Sequence, residues 1–216
     1  IDWKDKPYVI GVAGGSASGK TTVSNDIFQE LNKQVLSGYI ISIDDFYISV
    51  NNEEKKDIEN INFDDPKRID FSKLEKTLIS IINRKTTTSP IYDFKTCTCV
   101  GEKELNCNSI DFVIIEGLFC LYDEKIRNIL DVSIFIEISD EVRLKRRILR
   151  DIKERGAEKD NLIQYYNKYV KPSYNEYILP TKEYAGKIIT EWNNETFTNI
   201  INWLSYNSTI SHTEYE

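Results

Sequence analysis

Eight consecutive residues, Gly14-Gly15-Ser16-Ala17-Ser18-Gly19-Lys20-Thr21, constrain this chain more than any other stretch. They satisfy G-x-x-x-x-G-K-[ST] in full. They also follow an apolar run over residues 8–13 and precede Val23, Ile27, Phe28 and Leu31 at helical spacing. Strand, glycine-rich turn and helix start, in that order, make a cradle for phosphate. Without Cβ atoms in the way, backbone N–H groups can curl around phosphate oxygens. The positive end of the following helix then faces the anion. Lys20 supplies a point charge for the β- and γ-phosphates, the Thr21 hydroxyl offers a magnesium ligand, and Thr22 continues the cradle into the helix. A glycine-rich turn that binds nothing is the alternative, and it has no need of the flanking strand, the helix or the lysine.

The rest of the chain repeats the alternation. Apolar strand runs are expected at 39–43, 112–115, 132–136 and 188–189. Helices are expected at 73–83, at 140–155 and around Ile200, Ile201 and Leu204. Strands alternating with helices argue for an α/β fold, a parallel sheet covered by helices on both faces. No linker or internal repeat divides the chain, so residues 1–216 are expected to form a single P-loop domain. Tyr92 and Phe94 alternate, Gly101 punctuates and Leu105 follows, which predicts a β-hairpin arm at about 90–108. Residues 51–60 are polar and charged and are expected to form a mobile surface loop.

A net charge of -7 and a pI near 5.0 argue against a nucleic-acid partner, which would call for a basic face. No run approaches the length of a membrane span and the N-terminus shows no signal-peptide order, so a cytoplasmic protein without a membrane partner is expected. Cys97, Cys99, Cys107 and Cys120 make no disulfide framework. Cys97-Thr98-Cys99 with Cys107 is a poor zinc clip, because zinc pairs are usually C-x₂₋₄-C and the single histidine, His212, lies in a polar tail.

Three acidic sites and one basic helix turn a nucleotide cradle toward phosphoryl transfer. Glu116 ends the 112–115 run, where it would meet the magnesium directly or through water; a solvated strand-end glutamate is the plainer alternative. Asp44-Asp45-Phe46-Tyr47 follows the second strand, so a carboxylate reaches the same sheet edge as the cradle. A hydroxyl acceptor needs such a group to orient it and take its proton. Asp44 is the first choice and Asp45 the second, with a helix N-cap as the structural alternative. Asp64, beside Phe63 in Phe63-Asp64-Asp65-Pro66, suits a sugar diol equally as well as an Asp-Pro turn start. Arg143, Arg146, Arg147 and Arg150 lie three and four apart, with Arg155 beyond. Arg147 and Arg150 share a face that would form a phosphate-neutralising lid at about 140–160, unless salt bridges to Glu141, Asp151 or Glu154 claim them. No guanine-reading Asn-Lys-x-Asp motif is present, which argues against a GTPase.

The stretches GGSASGKTT, DDFY, NFDDP, PIYDF, IIEG, RLKRRILRDIKERG, YVKP and LPTKEYA, in this order, resemble the uridine–cytidine kinases of the phosphoribulokinase and uridine kinase group. The resemblance runs from about Tyr8 to Ile189. It implies a five-stranded parallel core with a hairpin arm, ATP or GTP as donor with Mg2+, a small-molecule nucleoside as acceptor, and a homo-oligomer, dimer or tetramer. Carried over by matching positions, Asp44 activates the 5′-hydroxyl and helps hold magnesium. Asp64 and Arg147 hold the ribose hydroxyls. Tyr47, Phe63, Tyr92 and Phe94 line the base pocket, and Arg150 and Arg155 serve the lid. The implied reaction is phosphorylation of a pyrimidine nucleoside at its 5′-hydroxyl, as in pyrimidine salvage. A kinase of another small alcohol and a catalytically weak nucleotide-binding protein are the alternatives.

Four positions depart from the family pattern. Cys97 stands where the family has a base-reading histidine, Asp65 where Phe-Asp-His-Pro has its histidine, and Ala157 where an arginine follows Glu-Arg-Gly. Tyr165 aligns with an expected glutamine, although Gln164 is adjacent. A thiol is a much weaker hydrogen-bond partner than an imidazole. The transfer machinery is expected to be intact and base reading to be altered.

Overall fold

The structure is a computed structural model that describes residues 6–210, apart from the side chains of residues 154, 155, 209 and 210. His212 therefore lies outside the described residues. β1 (Tyr8–Gly14) is buried along its whole length, as a central strand covered on both faces must be. Around it a parallel sheet is built from β2 (Gly38–Ser42), β5 (Phe112–Glu116), β6 (Val132–Ile136) and β7 (Lys187–Ile189), in the order β2-β5-β1-β6-β7. The intervening β3 (Thr87–Asp93) and β4 (Thr98–Leu105) pair antiparallel as a separate hairpin.

Alternate residues of the sheet serve two cores. Ile10, Val12, Ile114 and Ile134 pack under Val23, Ile27 and Leu31 of α1 (Lys20–Lys33) together with Ile200 and Leu204 of the C-terminal helix. Val9, Ala13, Val113, Ile115 and Phe135 face the other way, onto Leu74, Leu78 and Ile81 of α2 (Phe71–Ile82) and onto Ile126 of α3 (Glu124–Arg127). The result is a three-layer α/β fold with helices on both faces. Register fixes the functional edge, because Val12 and Ser42 both pair with Glu116. The carboxyl ends of β1, β2 and β5 thus finish side by side, at the place where α/β sheets bind ligands.

The hairpin starts earlier than its sequence indicated, at Thr87, and turns at 94–97 with Cys97 at φ 52°. Pro90, at the expected start of the arm, lies inside β3. A two-stranded ladder leaves one edge free, and there the missing N–H of proline deprives no partner. Gly101 does not mark the turn. It sits within β4 opposite Ile91, beside a register shift between Ile91 and Tyr92.

Residues 54–60, expected within a mobile loop, form 3₁₀ turns tied at both ends. Arg68 grips Glu54 at 2.6 Å, and Lys168 and Tyr169 bond Asn60 at 2.7 and 2.9 Å. A charged helix, α4 (Asp140–Arg155), lies where its acidic first residues and arginine ladder predicted. It leads into an unforeseen helical stretch: α5 (Lys159–Tyr165), a π-turn (Tyr166–Val170), α6 (Lys171–Ser173), a second π-turn (Tyr174–Ile178) and a 3₁₀ turn (Leu179–Tyr184). The chain closes with β7 and α7 (Asn194–Ile210). Among the described residues no helix is long and apolar enough to cross a membrane.

Candidate active site

The phosphate loop is held open by backbone conformations that side chains resist. Gly14 and Gly19 sit at φ 149° and 103°, and Ala17 is left-handed at φ 59°. Gly15 is demanded for a different reason. A Cβ there would lie 2.5 Å from Arg143 Nη1 and 2.9 Å from the Tyr174 ring. Lys20, at the start of α1, is buried and donates a 2.9 Å hydrogen bond back to the Gly15 carbonyl. Burial pulls its ammonium pKa down, while Glu116 and Asp44 hold it up. Ser18 Oγ is buried without a hydrogen-bond partner among the described residues, which leaves a hydroxyl inside the loop for a phosphate oxygen.

Two carboxylates arrive at this loop from neighbouring strand tips. Glu116 ends β5, is 7% exposed and accepts a 3.0 Å bond from Ser42 Oγ. Asp44 comes from the 3₁₀ turn (Ile43–Phe46) that follows β2, two residues beyond the strand's last residue, Ser42. Burial first, and then the Glu116 charge, push its carboxyl up to about 6. The choice between the paired aspartates follows from direction. Asp44 faces the cleft, whereas Asp45 faces the hairpin arm and pairs with Lys103 at 3.7 Å. Thr21 and Thr22 line the same cleft. Among the described residues no three His, Cys, Asp or Glu side chains gather as a complete metal site. The buried Glu116 and half-buried Asp44 beside a hydroxyl do suit Mg2+, which usually takes one or two carboxylates and completes its shell with phosphates and water.

Beyond the acids the cleft, about 580 Å³ in volume, becomes aromatic. Tyr47 is its hub, with ring centroids 5.6 Å from Tyr92, 6.4 Å from Phe94 and 6.4 Å from Phe63, and its hydroxyl donates to the Phe63 carbonyl at 2.9 Å. Cys97 lies on the same wall, with its thiol 3.4 Å from the Phe94 carbonyl. Asp64 is 4% exposed, and its Oδ2 lacks a hydrogen-bond partner among the described residues. Burial raises its pKa against the pull of Arg147, whose Nη1 lies 3.9 Å away. Asp65, its neighbour, turns away and caps the following turn by accepting the Lys67 N–H.

The arginines of α4 divide by depth. Arg143 is buried, stacks 3.7 Å from the Tyr174 ring centroid and bonds Ile138 and Asp140; it is a strut beneath Gly15 rather than part of a lid. Arg146 and Arg147 reach the phosphate loop, at 3.3 Å from the Ser18 carbonyl and 2.8 Å from Ser16 Oγ. Arg147 and Arg150 also share Asp151, at 3.4 and 2.8 Å, so the anticipated salt bridges and a face toward the cleft coexist. The side chain of Arg155 lies outside the described residues. Ala157 lines the cleft without offering a charge.

The family model of the phosphoribulokinase/uridine kinase family matches residues 9–197. The chain belongs to this family. It is 38% identical to a uridine kinase of Lactobacillus helveticus (strain DPC 4571) over 187 residues, 87% of this chain and 88% of the relative. It is 37% identical to uridine-cytidine kinase B of Dictyostelium discoideum over 183 residues, 85% of this chain and 74% of the relative. Among solved structures, phosphoribulokinase from Rhodobacter spheroides shares the fold with TM-score 0.63 at 16% identity, over 84% of this chain and 69% of that one.

Of the two neighbours at the departing position, Tyr165 lines the cleft and Gln164 is exposed. The structure also brings in residues that the sequence did not single out. Leu118 and Leu162 join the main cleft, beside Arg146 and Asp151 of the charged helix that the sequence did mark. A second cleft of about 720 Å³ opens on the far side of Gly19 and Thr22, between Val142, Arg146 and Trp192. Trp192 is fixed there by a 2.7 Å bond to Asp26. Only the tryptophan, in a polar stretch after a strand, offered a local signal for it.

Proposed function

We propose that this chain transfers the γ-phosphoryl group of ATP to the 5′-hydroxyl of a pyrimidine nucleoside, uridine or cytidine. One observation carries the reading: a single cleft joins a phosphate loop to an aromatic chamber, with the half-buried Asp44 at the junction. The donor's triphosphate lies along the loop, and its base occupies the second cleft beyond Gly19. Lys20 exchanges the Gly15 carbonyl for the β- and γ-phosphates, so its buried charge gains a stronger partner than the one it leaves.

The acceptor's base packs among Tyr47, Phe63, Tyr92 and Phe94, and Asp64 and Arg147 take the sugar hydroxyls. The orphaned Asp64 Oδ2 supports this, because a buried carboxylate oxygen without a donor loses hydrogen-bond energy until a ligand supplies one. Asp44 accepts the proton of the attacking 5′-hydroxyl. Arg147 and Arg150 neutralise charge on the transferring group, already steered by Asp151. Thr21, Glu116 and Asp44 would hold Mg2+, which would offset the charge of the phosphates. A requirement for ATP argues for a cytoplasmic reaction.

Cys97 and Ala157 favour a second reading in which the chemistry is the same and the acceptor is another small alcohol. An acceptor panel with ATP and Mg2+ separates the two. Turnover of uridine or cytidine supports the nucleoside reading, and turnover confined to other alcohols replaces it. ATP binding without any turnover contradicts both.

A further inference from the structure

Tyr165 stands at the end of α5 and lines the cleft, and its hydroxyl is engaged by backbone. That hydroxyl donates to the Ile61 carbonyl at 2.9 Å and accepts the Phe63 N–H at 3.1 Å. It thus bridges the two backbone groups that bracket Asn62, immediately before Asp64. Three more bonds run between the same segments. Tyr169 donates to the Asn60 carbonyl at 2.9 Å, Lys168 to Asn60 Oδ1 at 2.7 Å, and Asn62 to Ser173 Oγ at 2.9 Å. Of these contacts only Tyr165 also faces the ligand chamber, and the Arg147 guanidinium lies 5.8 Å from its ring centroid.

We infer that Tyr165 is a positioning and specificity residue of the acceptor site: it locks the 61–64 turn so that Asp64 and Arg147 meet a sugar diol, and it thereby selects a ribose over a sugar lacking one hydroxyl. The inference rests on the nucleoside reading of this cleft. Asp64 is the reason that position matters. It is 4% exposed, its Oδ2 has no partner among the described residues, and it stands 3.9 Å from Arg147, too far for a hydrogen bond. A carboxylate so placed is held for a ligand by its backbone rather than by side-chain bonds, and Tyr165 supplies two of the bonds that fix that backbone, beside Tyr47 on the Phe63 carbonyl and Asn62 on the Asp64 N–H. A buried polar site built for a hydroxyl discriminates strongly against the analogue without it, provided its groups cannot relax. With its donor and one acceptor site already engaged by the main chain, Tyr165 contributes placement and a ring face.

The test uses the intact protein and the variants Tyr165→Phe and Tyr165→Gln, assayed with uridine, 2′-deoxyuridine and ATP. Tyr165→Phe keeps the ring and removes both backbone bonds. Its KM for uridine should rise about tenfold, the preference for uridine over 2′-deoxyuridine in kcat/KM should narrow by a similar factor, and the KM for ATP should stay constant. Tyr165→Gln should show the same narrowing. If uridine KM and the ribose preference are unchanged, or if the KM for ATP rises in parallel, Tyr165 only stabilises the fold and the inference is overturned. Wild-type protein that turns over no nucleoside would instead contradict the underlying reading of the site.

Discussion

Arg147 Nη1 lies 2.8 Å from Ser16 Oγ in the phosphate loop, while the same guanidinium stands 3.9 Å from Asp64 in the acceptor chamber. One side chain therefore spans donor and acceptor halves, and Asp151 steadies it from behind at 3.4 Å. A planar fork can serve several partners at once, which a compact ammonium cannot. Arg147→Lys should lower kcat/KM for the nucleoside by about tenfold to a hundredfold, with the larger part in kcat. Steady-state kinetics with each substrate varied in turn measures the split.

Asp44 combines a functional requirement with a stability penalty. Asp44→Asn should reduce kcat by about a hundredfold or more while ATP binding persists. It should also raise the melting temperature at pH 7. The folded carboxyl is pushed from 3.8 to about 6, so the native state binds more protons than the unfolded chain across that window. Stability through this group consequently falls as pH rises from about 4 to about 6, and the full penalty applies above. The stabilisation by Asp44→Asn should be present at pH 7 and shrink toward pH 4, as thermal melts at the two values will show.

Gly15 provides a steric test of the loop. Gly15→Ala would drive a methyl to 2.5 Å from Arg143 Nη1 and 2.9 Å from Tyr174, both parts of a tightly packed strut. ATP binding by calorimetry should weaken by at least about a hundredfold. Gly101→Ala, where a Cβ meets nothing within 4 Å, should leave it unchanged.

Cys97 lines the acceptor chamber, whereas Cys107 and Cys120 are buried and Cys99 is exposed on the arm outside the cleft. Cys97→His places a stronger hydrogen-bonding group at the wall and should lower the KM for uridine without changing that for ATP. An unchanged uridine KM would show that the hairpin does not read the base.

What the sequence disclosed and what it hid divide along the same physical line. The phosphate loop lies in eight adjacent residues and is legible because local backbone chemistry defines it. Asp44 and Glu116 were legible because each stands at or just beyond the end of a strand, and parallel strands end together. Arg143 gave no such warning. Its depth beneath Gly15 depends on Tyr174, thirty-one positions further on, and nothing in a ladder of arginines says which one is buried. Tyr165 was visible only as a departure from a pattern, since its two hydrogen-bond partners lie about a hundred residues away. The hairpin began three residues early because Pro90 punctuates most strands but not an edge. The second cleft was hidden because its walls come from β6, α4 and the segment after β7.

The central claim is that one cleft aligns a bound triphosphate with the 5′-hydroxyl of a pyrimidine nucleoside beside Asp44. The most direct measurement is the fate of the γ-phosphate when the protein is incubated with γ-labelled ATP, Mg2+ and uridine, with the product's phosphorus located by NMR. The account predicts label in a monophosphate ester coupled to the 5′-methylene protons, formed by the wild type and nearly lost in Asp44→Asn. Label that stays in ATP, passes to water alone, or appears equally with Asp44→Asn would contradict it.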